Sequence, residues 1–493
     1  MGKSRKKGKK GMKIAIYILL FTWIVLLAVL AAIYLLRKQG YENFNEWRGH
    51  QTQEVFQQNV VIEGPTEPLA PIVTVTPTIA PTATPTPSPT PTPTPSPTPT
   101  AIPQAIEVMG DILTEEAIFS GNETVDAAIR EQVETLSGEE EIRYVGYQKG
   151  IYFSTVFQKG AELFPTVYNL ETGVPVTGSD LMKEIYFAII KERLQTYVAE
   201  EFPDQTGDEF LTYQQIYQAE DYQQFYMTED KLVFYFSANT LTAEHPAFTY
   251  EADLSEAQAF FKYDFDGIAR TPYIRELDPN AKMLAITFDD GPYPKVENQI
   301  LELFEKYNGR TTFFFLGDRA EDWFPKSATE VYAAGHEVAS HTYSHELNFA
   351  SASEEEMWTE VNRTNLVLAK ATGYAPDYIR YPGGSYGKKS LNVPMYIINW
   401  NYDSIDYKEK KKSDGADIIY DRLINSNNLK DGSILLVHSI YQNTYDAIER
   451  FVEYVTAEGY ELVTLSEMYY YKGVDLQYGY VYSDGNGKKT TKK

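Results

Sequence analysis

The last part of the chain repeats one pattern, a short apolar run followed by an amphipathic stretch, and this repeat limits the fold more than any other feature. The runs are MLAITF, TTFFFLG, HEVASH, YIRYP, MYIINW, SILLVH and ELVTL. Between several of them lie stretches of helical periodicity, 296–307, 353–371 and 444–458, and the second opens on Ser353 and Glu356 at capping-box spacing. A strand that returns through a helix to the same sheet lies parallel to the first. The pattern therefore predicts an α/β domain over residues 281–470, a distorted (β/α) barrel of about seven parallel strands. In such folds the chemistry gathers at the C-terminal strand ends.

The residues at those ends carry reactive groups. After MLAITF come Asp289, Asp290, Gly291 and Pro292. Alone, such a run reads as a turn. Adjacent carboxylates at a strand end point in opposite directions, so one can bind a metal while its neighbour stays free as a base. After EVAS come His341 and His345, two of only six histidines. Alone, they read as a chance surface pair, but their spacing can place both on one ion, in a helix or in a turn. With Asp290 they would form a His/His/carboxylate set that leaves positions open for water and substrate, as hydrolysis requires. Arg380-Tyr-Pro-Gly-Gly384 follows YI, Asp403, Asp406 and Tyr407 follow IINW, and His438 ends SILLVH. A lone histidine on an apolar strand is more often a satisfied core residue, but five of seven strand ends carrying catalytic residue types exceed chance.

Upstream, composition divides the chain. Seven Lys and Arg and no acid lie in the first thirteen residues. The whole chain carries −25, so −32 remains on the rest, which argues against a nucleic-acid partner. Residues 14–36 form an uncharged apolar run of transmembrane length that continues past Ala28, Ala31 and Ala32 to Leu36, which favours an uncleaved anchor over a signal peptide. The positive-inside bias places residues 1–13 in the cytoplasm and everything after Gly40 outside, a single-pass cell-membrane topology. Residues 37–103 form a stalk whose Thr/Pro-rich part from about Pro65 cannot bury a core; at ~3.1 Å per residue it would hold the following domains on the order of 100 Å from the bilayer. Residues 104–270 read as a small independent α+β domain, with strand-like runs at 151–156 and 231–237 and a helix over 180–200. Its expected role is a rigid spacer or a module that binds wall or another protein. Residues 471–493, ending in KKTTKK, read as a partly disordered tail. Without Cys, any metal must be held by His, Asp or Glu.

The set TFDDGP, HTYSH, RYPGG, DSIDY and LLVH resembles, in order and spacing, the motifs of the polysaccharide deacetylase family, also called the NodB-homology or carbohydrate esterase 4 domain. The anchor, spacer, middle domain and deacetylase together resemble the layout of Gram-positive peptidoglycan N-acetylglucosamine deacetylases. Within the middle domain, VYNLETGVPVTGSDLM and YMTEDKLVFYFSANTL loosely resemble a small extracytoplasmic domain of bacterial envelope enzymes and sensors. The family resemblance implies a divalent ion, commonly Zn²⁺ with Co²⁺ or Mn²⁺ as alternatives, on Asp290, His341 and His345. It implies Asp289 as the base, Arg380 as the residue that orients it, and the Gly383 backbone N–H as an oxyanion donor. His438 would be the acid, kept protonated and aimed by Asp403. Leu436 and Tyr407 would wall the acetyl methyl, with Tyr407 where the family usually carries Trp. The implied reaction is metal-dependent hydrolysis of the N-acetyl group of N-acetylglucosamine in peptidoglycan, releasing acetate. Chitin-like chains, poly-N-acetylglucosamine and acetylated xylan are alternative substrates, and a silent glycan-binding envelope protein is the non-enzymatic alternative. His50, His245 and His336 have no implied role, and His336 reads as structural.

Overall fold

A computed structural model describes residues 120–138, 142–201, 224–238, 247–345 and 348–490. The expected membrane span at 14–36 and the Thr/Pro-rich spacer lie outside the described residues. Among those described, no helix is long and apolar enough to cross a membrane.

The N-terminal part opens with helix α1, Glu123–Leu136, whose cap residue Asn122 accepts from the N–H groups of Thr124 and Val125. Val125 and Ile129 of α1 pack on Tyr144, Phe153 and Phe157 of an antiparallel meander. The meander runs β1 (Ile142–Lys149), β2 (Tyr152–Lys159), β3 (Glu162–Asn169) and β4 (Pro175–Val176). Helix α2, Glu184–Glu201, follows, and then a second antiparallel sheet of β5 (Phe225–Met227), β6 (Lys231–Phe236) and β7 (Phe248–Asp253).

This part, expected as an independent domain, packs closely against the C-terminal part. Residues Ile185 to Ile190 of α2 are all buried, and a helix that is apolar all round must be covered on every side. One side meets Phe234 and Phe236, while Val361, Ala369 and Ile379 of the C-terminal part belong to the same apolar cluster. Polar contacts reinforce the junction. Lys183 Nζ lies 2.7 Å from Asp377, Ala375 N donates to Ala259 O at 2.8 Å, and Asn362 donates to Glu192 at 2.7 Å.

The C-terminal part contains the predicted alternation. Its elements are β8 (Lys282–Gly291), α3 (Pro294–Lys306), β9 (Thr312–Phe315), α4 (Ser327–Ala333), β10 (Glu337–Ser340), α5 (Glu354–Thr372), β11 (Tyr378–Ile379), β12 (Tyr396–Ile398) and β13 (Tyr402–Asp403). There follow α6 (Gly415–Ile424), β14 (Ser433–His438), α7 (Gln442–Ala457), β15 (Tyr460–Leu462), α8 (Leu465–Lys472), β16 (Val481–Tyr482) and β17 (Lys489–Thr490). The Ser353–Glu356 capping box opens α5. Strands pair in the order β13-β14-β8-β9-β10-β11-β12-β16-β17, with β15 on β8, and every pair is parallel except the β16–β17 hairpin. Among the described residues β12 and β13 do not pair, so the sheet curls like a barrel without closing.

Alternation along β8 sorts its side chains. Leu284, Ile286 and Phe288 face the helices, in a core with Ile300 and Phe304 of α3 and Phe451 of α7. Met283 and Ala285 face the inside of the curl, which is plugged by Met468 and Tyr469 of α8. The segment expected as a tail is a correction to the sequence reading. Val481 and Tyr482 are buried, and β16 covers the edge of β12, pairing Ile397 with Val481 and Ile398 with Tyr482. An uncovered edge strand exposes unpaired backbone groups, and this short hairpin protects it.

Candidate metal and catalytic site

The C-terminal ends of β8, β10, β11 and β14 converge on one cleft. Asp289 continues the inward face of β8, as alternation requires, but Asp290 does not point the opposite way. Its φ of +69° and a register break between Phe288 and Gly291 turn it back toward the same cleft. Gly291 is required next to it, because a Cβ there would collide with the Glu297 carboxyl and the Phe315 ring. Both carboxylates therefore meet His341, whose Nε2 is 3.7 Å from Asp289 Oδ2 and 3.4 Å from Asp290 Oδ1.

HTYSH forms a turn rather than a helix, with Thr342 and His345 both at positive φ. Glu360 of α5 holds this turn, accepting from Tyr343 N at 2.8 Å, Ser344 N at 2.9 Å and Ser344 Oγ at 2.7 Å. The turn swings His345 Nε2 to 3.4 Å from Asp290 Oδ1. His341 Nδ1 lies 2.8 Å from Arg380 O. Only a protonated Nδ1 can donate to a carbonyl, which leaves the Nε2 lone pair facing Asp290.

Three features fit this set to a metal ion. Ligand atoms of Asp290, His341 and His345 all lie within 4.8 Å of one another. Tetrahedral zinc with bonds of about 2.0–2.1 Å separates its ligands by roughly 3.3 Å, close to the two 3.4 Å separations. Asp290 Oδ1 is buried and accepts no hydrogen bond, which is costly for a carboxylate unless a cation takes its place. Without an ion, burial acts to raise the Asp290 pKa, and protonated forms of His341, His438 and His345 would more than offset it and hold the group well below the usual carboxylate range; a cation takes over that part when the imidazoles turn their lone pairs to it.

Arg380 is fully buried across the inside of the curl. Its Nη1 donates to Asp289 Oδ1 at 2.7 Å and to Thr287 Oγ1 at 2.8 Å, while Nε and Nη2 donate to the carbonyls of Ile398 at 3.0 Å and Asn399 at 3.1 Å. The guanidinium also stacks 4.1 Å from the Phe314 ring. Asp289 is thereby fixed with one oxygen on Arg380 and the other toward His341.

Across the cleft, His438 Nε2 is 3.9 Å from Asp290 Oδ2. Its partner differs from the one expected. Asp403 accepts from Ile405 N at 2.8 Å and Trp400 Nε1 at 3.3 Å, whereas Asp406 lies 2.7 Å from His438 Nδ1 and accepts from His438 N at 2.8 Å and Thr444 Oγ1 at 2.7 Å. Asp403 ends β13, and Ile405 at φ +53° then reverses the chain and tucks Asp406 beneath the histidine. Burial alone would push the His438 pKa down; the bond and charge of Asp406, with Asp290 and Asp289 further off, lift it to about 9.

The other expected residues sit around this centre. Tyr407 is 44% exposed with its ring 6.2 Å from the His438 ring, and Leu436 shares the inward side of β14 with His438. Gly383 is exposed at φ +60° in a tight turn after β11, with open space where a side chain would project. His336 lies outside the site. It accepts from Thr311 N, meets Phe304 and Phe313 edge-on, and is pushed down to about 3 by burial.

Sequence reasoning gave no role to Glu360 or Glu297. Glu297 of α3 is fully buried and accepts from Ser327 Oγ and Ser439 Oγ, both at 2.9 Å, tying α3 to the loop after His438. Burial pushes its pKa up to about 7. Neither glutamate follows a strand end, so no local pattern marked them.

A carboxylate and two histidines set to hold an ion, a second carboxylate locked by arginine, and an elevated histidine opposite define the site of a metal-dependent hydrolase. The chain belongs to the polysaccharide deacetylase family. The family's sequence model, described as polysaccharide deacetylase, matches residues 276–395. A peptidoglycan-N-acetylglucosamine deacetylase of Bacillus cereus is 32% identical over 217 residues, 42% of this chain and 72% of that protein. The peptidoglycan-N-acetylmuramic acid deacetylase PdaC of Bacillus subtilis is 36% identical over 198 residues, 40% of this chain and 41% of that protein. This chain thus matches less than half the length of that relative. A solved structure of PdaC aligns with a TM-score of 0.37 at 35% identity, covering 40% of this chain and 94% of that one.

Proposed function

We propose that the chain hydrolyses the N-acetyl group of N-acetylglucosamine residues in peptidoglycan, releasing acetate and leaving a free amine on the glycan. The observation that carries this reading is the convergence of Asp290, His341 and His345 with Arg380-bound Asp289 on one side and Asp406-bound His438 on the other. Asp290, His341 and His345 would hold the ion, zinc by their donor chemistry, with cobalt or manganese able to replace it. Bound there, such an ion polarises the acetamide carbonyl and acidifies the attacking water. Asp289, aimed by Arg380, takes the proton of that water. The Gly383 N–H donates to the oxygen that gains charge. His438 gives its proton to the departing nitrogen, since an amine leaves poorly unless protonated, and Asp406 keeps that imidazole charged and oriented. Leu436 and Tyr407 wall the methyl group.

The identity to PdaC favours a second reading for the substrate, N-acetylmuramic acid in the same polymer. Both are decided together by incubating the purified chain with peptidoglycan and a metal series, measuring acetate, and identifying the deacetylated sugar by mass spectrometry after digestion. Metal-dependent acetate that Asp289→Asn abolishes supports the reaction, and the mass of the free-amine sugar assigns the substrate. Absence of acetate at every metal would refute both. The basic residues before the apolar run 14–36 support a membrane anchor with the enzyme outside the cell. Resistance of the full chain to alkaline extraction from membranes tests that placement.

A further inference from the structure

We propose that Lys408 and Lys410 form an anion-binding rim beside the acid histidine that takes carboxylate groups of the glycan strand. This inference rests on the peptidoglycan reading above. Lys408, Lys410, Lys411 and Lys412 fall within five residues, and beyond residue 13 no other five-residue stretch of this acidic chain holds four basic residues. Such a run elsewhere would be a solvated face. Here the fold directs it.

The segment leaves the Asp406 turn directly after Tyr407. Buried Glu409 takes two of the neighbouring cations, Lys412 at 2.5 Å and Arg422 at 2.7 Å. Its single carboxylate offsets one of these two charges and anchors the loop. Lys408 and Lys410 are exposed, and among the described residues neither they nor Lys411 has a carboxylate within ion-pair distance. They do not extend at random. Lys408 Nζ lies 5.6 Å from the centre of the Tyr407 ring. Lys410 Nζ lies 5.1 Å from the centre of the Tyr441 ring and 3.5 Å from its hydroxyl. Those rings sit 6.2 Å and 5.9 Å from the His438 ring. Two unpaired ammonium groups therefore stand one aromatic ring away from the group that protonates the leaving nitrogen.

An acidic protein that works on an acidic polymer faces long-range repulsion. A local cationic rim at the cleft reverses the sign where the strand must enter. Peptidoglycan carries carboxylates on its peptide stems, and on lactyl ethers that bear no stem, whereas chitin-like chains and xylan backbones are neutral. The rim would select the charged polymer. Because it is solvent-exposed, its effect is modest and screened by salt.

The test uses the full-length chain and one set of soluble peptidoglycan fragments in two forms, native and with carboxyl groups amidated. In the wild type kcat/KM should be about five- to twentyfold higher on the native form, and this ratio should shrink between low and high salt. The double variant Lys408→Ala/Lys410→Ala should bring the ratio close to one, and Lys408→Arg/Lys410→Arg should restore it. A wild-type ratio near one, or a ratio unchanged in the alanine variant, overturns the rim. No acetate from either form with wild-type protein would overturn the deacetylase reading itself, and the inference with it.

Discussion

Asp406→Asn keeps the shape of a fully buried side chain and removes its charge, which makes it the sharpest probe of the acid. His438 is lifted from 6.5 to about 9 against the effect of its own burial, with Asp406 as the nearest source of that lift. This corresponds to roughly 3 kcal/mol of preference for the imidazolium. Without the carboxylate, burial acts unopposed by its closest partner, and His438 should titrate at or below 6.5. A return to 6.5 would lower the protonated fraction roughly thirtyfold at pH 8 but less than twofold at pH 6, and any further drop would still leave the larger loss at pH 8. The acid must be protonated to act. The alkaline limb of kcat/KM against pH should therefore move down by more than one pH unit in Asp406→Asn and stay in place in Asp403→Asn. The same linkage has a stability consequence. A raised histidine pKa contributes stability that is fully present below about 6.5 and lost as pH rises through about 9. The variant should lose less Tm than the wild type across that window. A uniform activity loss at pH 6 and pH 8 would show that Asp406 serves only packing, and a shifted limb in Asp403→Asn alone would restore Asp403 as the partner.

Two further residues give independent checks. Glu360→Ala removes all three bonds that hold the HTYSH turn, and metal affinity measured by chelator competition should fall about 10- to 100-fold; unchanged affinity would mean that the turn holds itself. Glu297, raised from 4.5 to about 7 by burial, favours the folded state while protonated, so the wild type should lose roughly 3 kcal/mol as pH rises through that interval. Glu297→Gln cannot ionise, so its Tm should fall less than that of the wild type between pH 4.5 and pH 7; parallel Tm curves for the two proteins would refute the assignment.

The catalytic fold was legible because its signals are local. β8, β9 and β14 are runs of residues buried on both faces, as strands of a covered parallel sheet must be, and the α5 boundary was written in its capping box. Motif order likewise exposed Asp289, Asp290, His341, His345, Arg380 and His438. Backbone reversals were not legible. Asp290 and Ile405 adopt positive φ without being glycine, and these two turns decide that both aspartates converge and that Asp406 rather than Asp403 reaches His438. Strain of this kind is stabilised by surrounding contacts and leaves no pattern in neighbouring residues. The edge strand β16 was missed for a related reason: two apolar residues among Gly, Asp and Lys resemble a tail until the β12 edge they cover is known.

The middle segment shows where a composition boundary and a structural boundary part company. A linker-separated domain would unfold by itself, and a change within it would leave the catalytic transition unmoved. Lys183 contradicts that picture, since its ammonium bonds Ala375 O and Asp377 Oδ1, both at 2.7 Å, and lies 3.6 Å from the centre of the Tyr374 ring. Only 11% of its side chain is exposed, against 24% for Asp377. Lys183→Ala would leave a mostly buried carboxylate without its cation, a loss of about 3 kcal/mol. At about 2.1 cal/mol/K per residue over the roughly 340 described residues, that loss lowers Tm by about 4 °C. Calorimetry should show one transition for both parts, shifted as a whole. Two transitions, with the catalytic one unmoved by Lys183→Ala, would show that α2 and α5 merely touch and that the shared core carries no coupling.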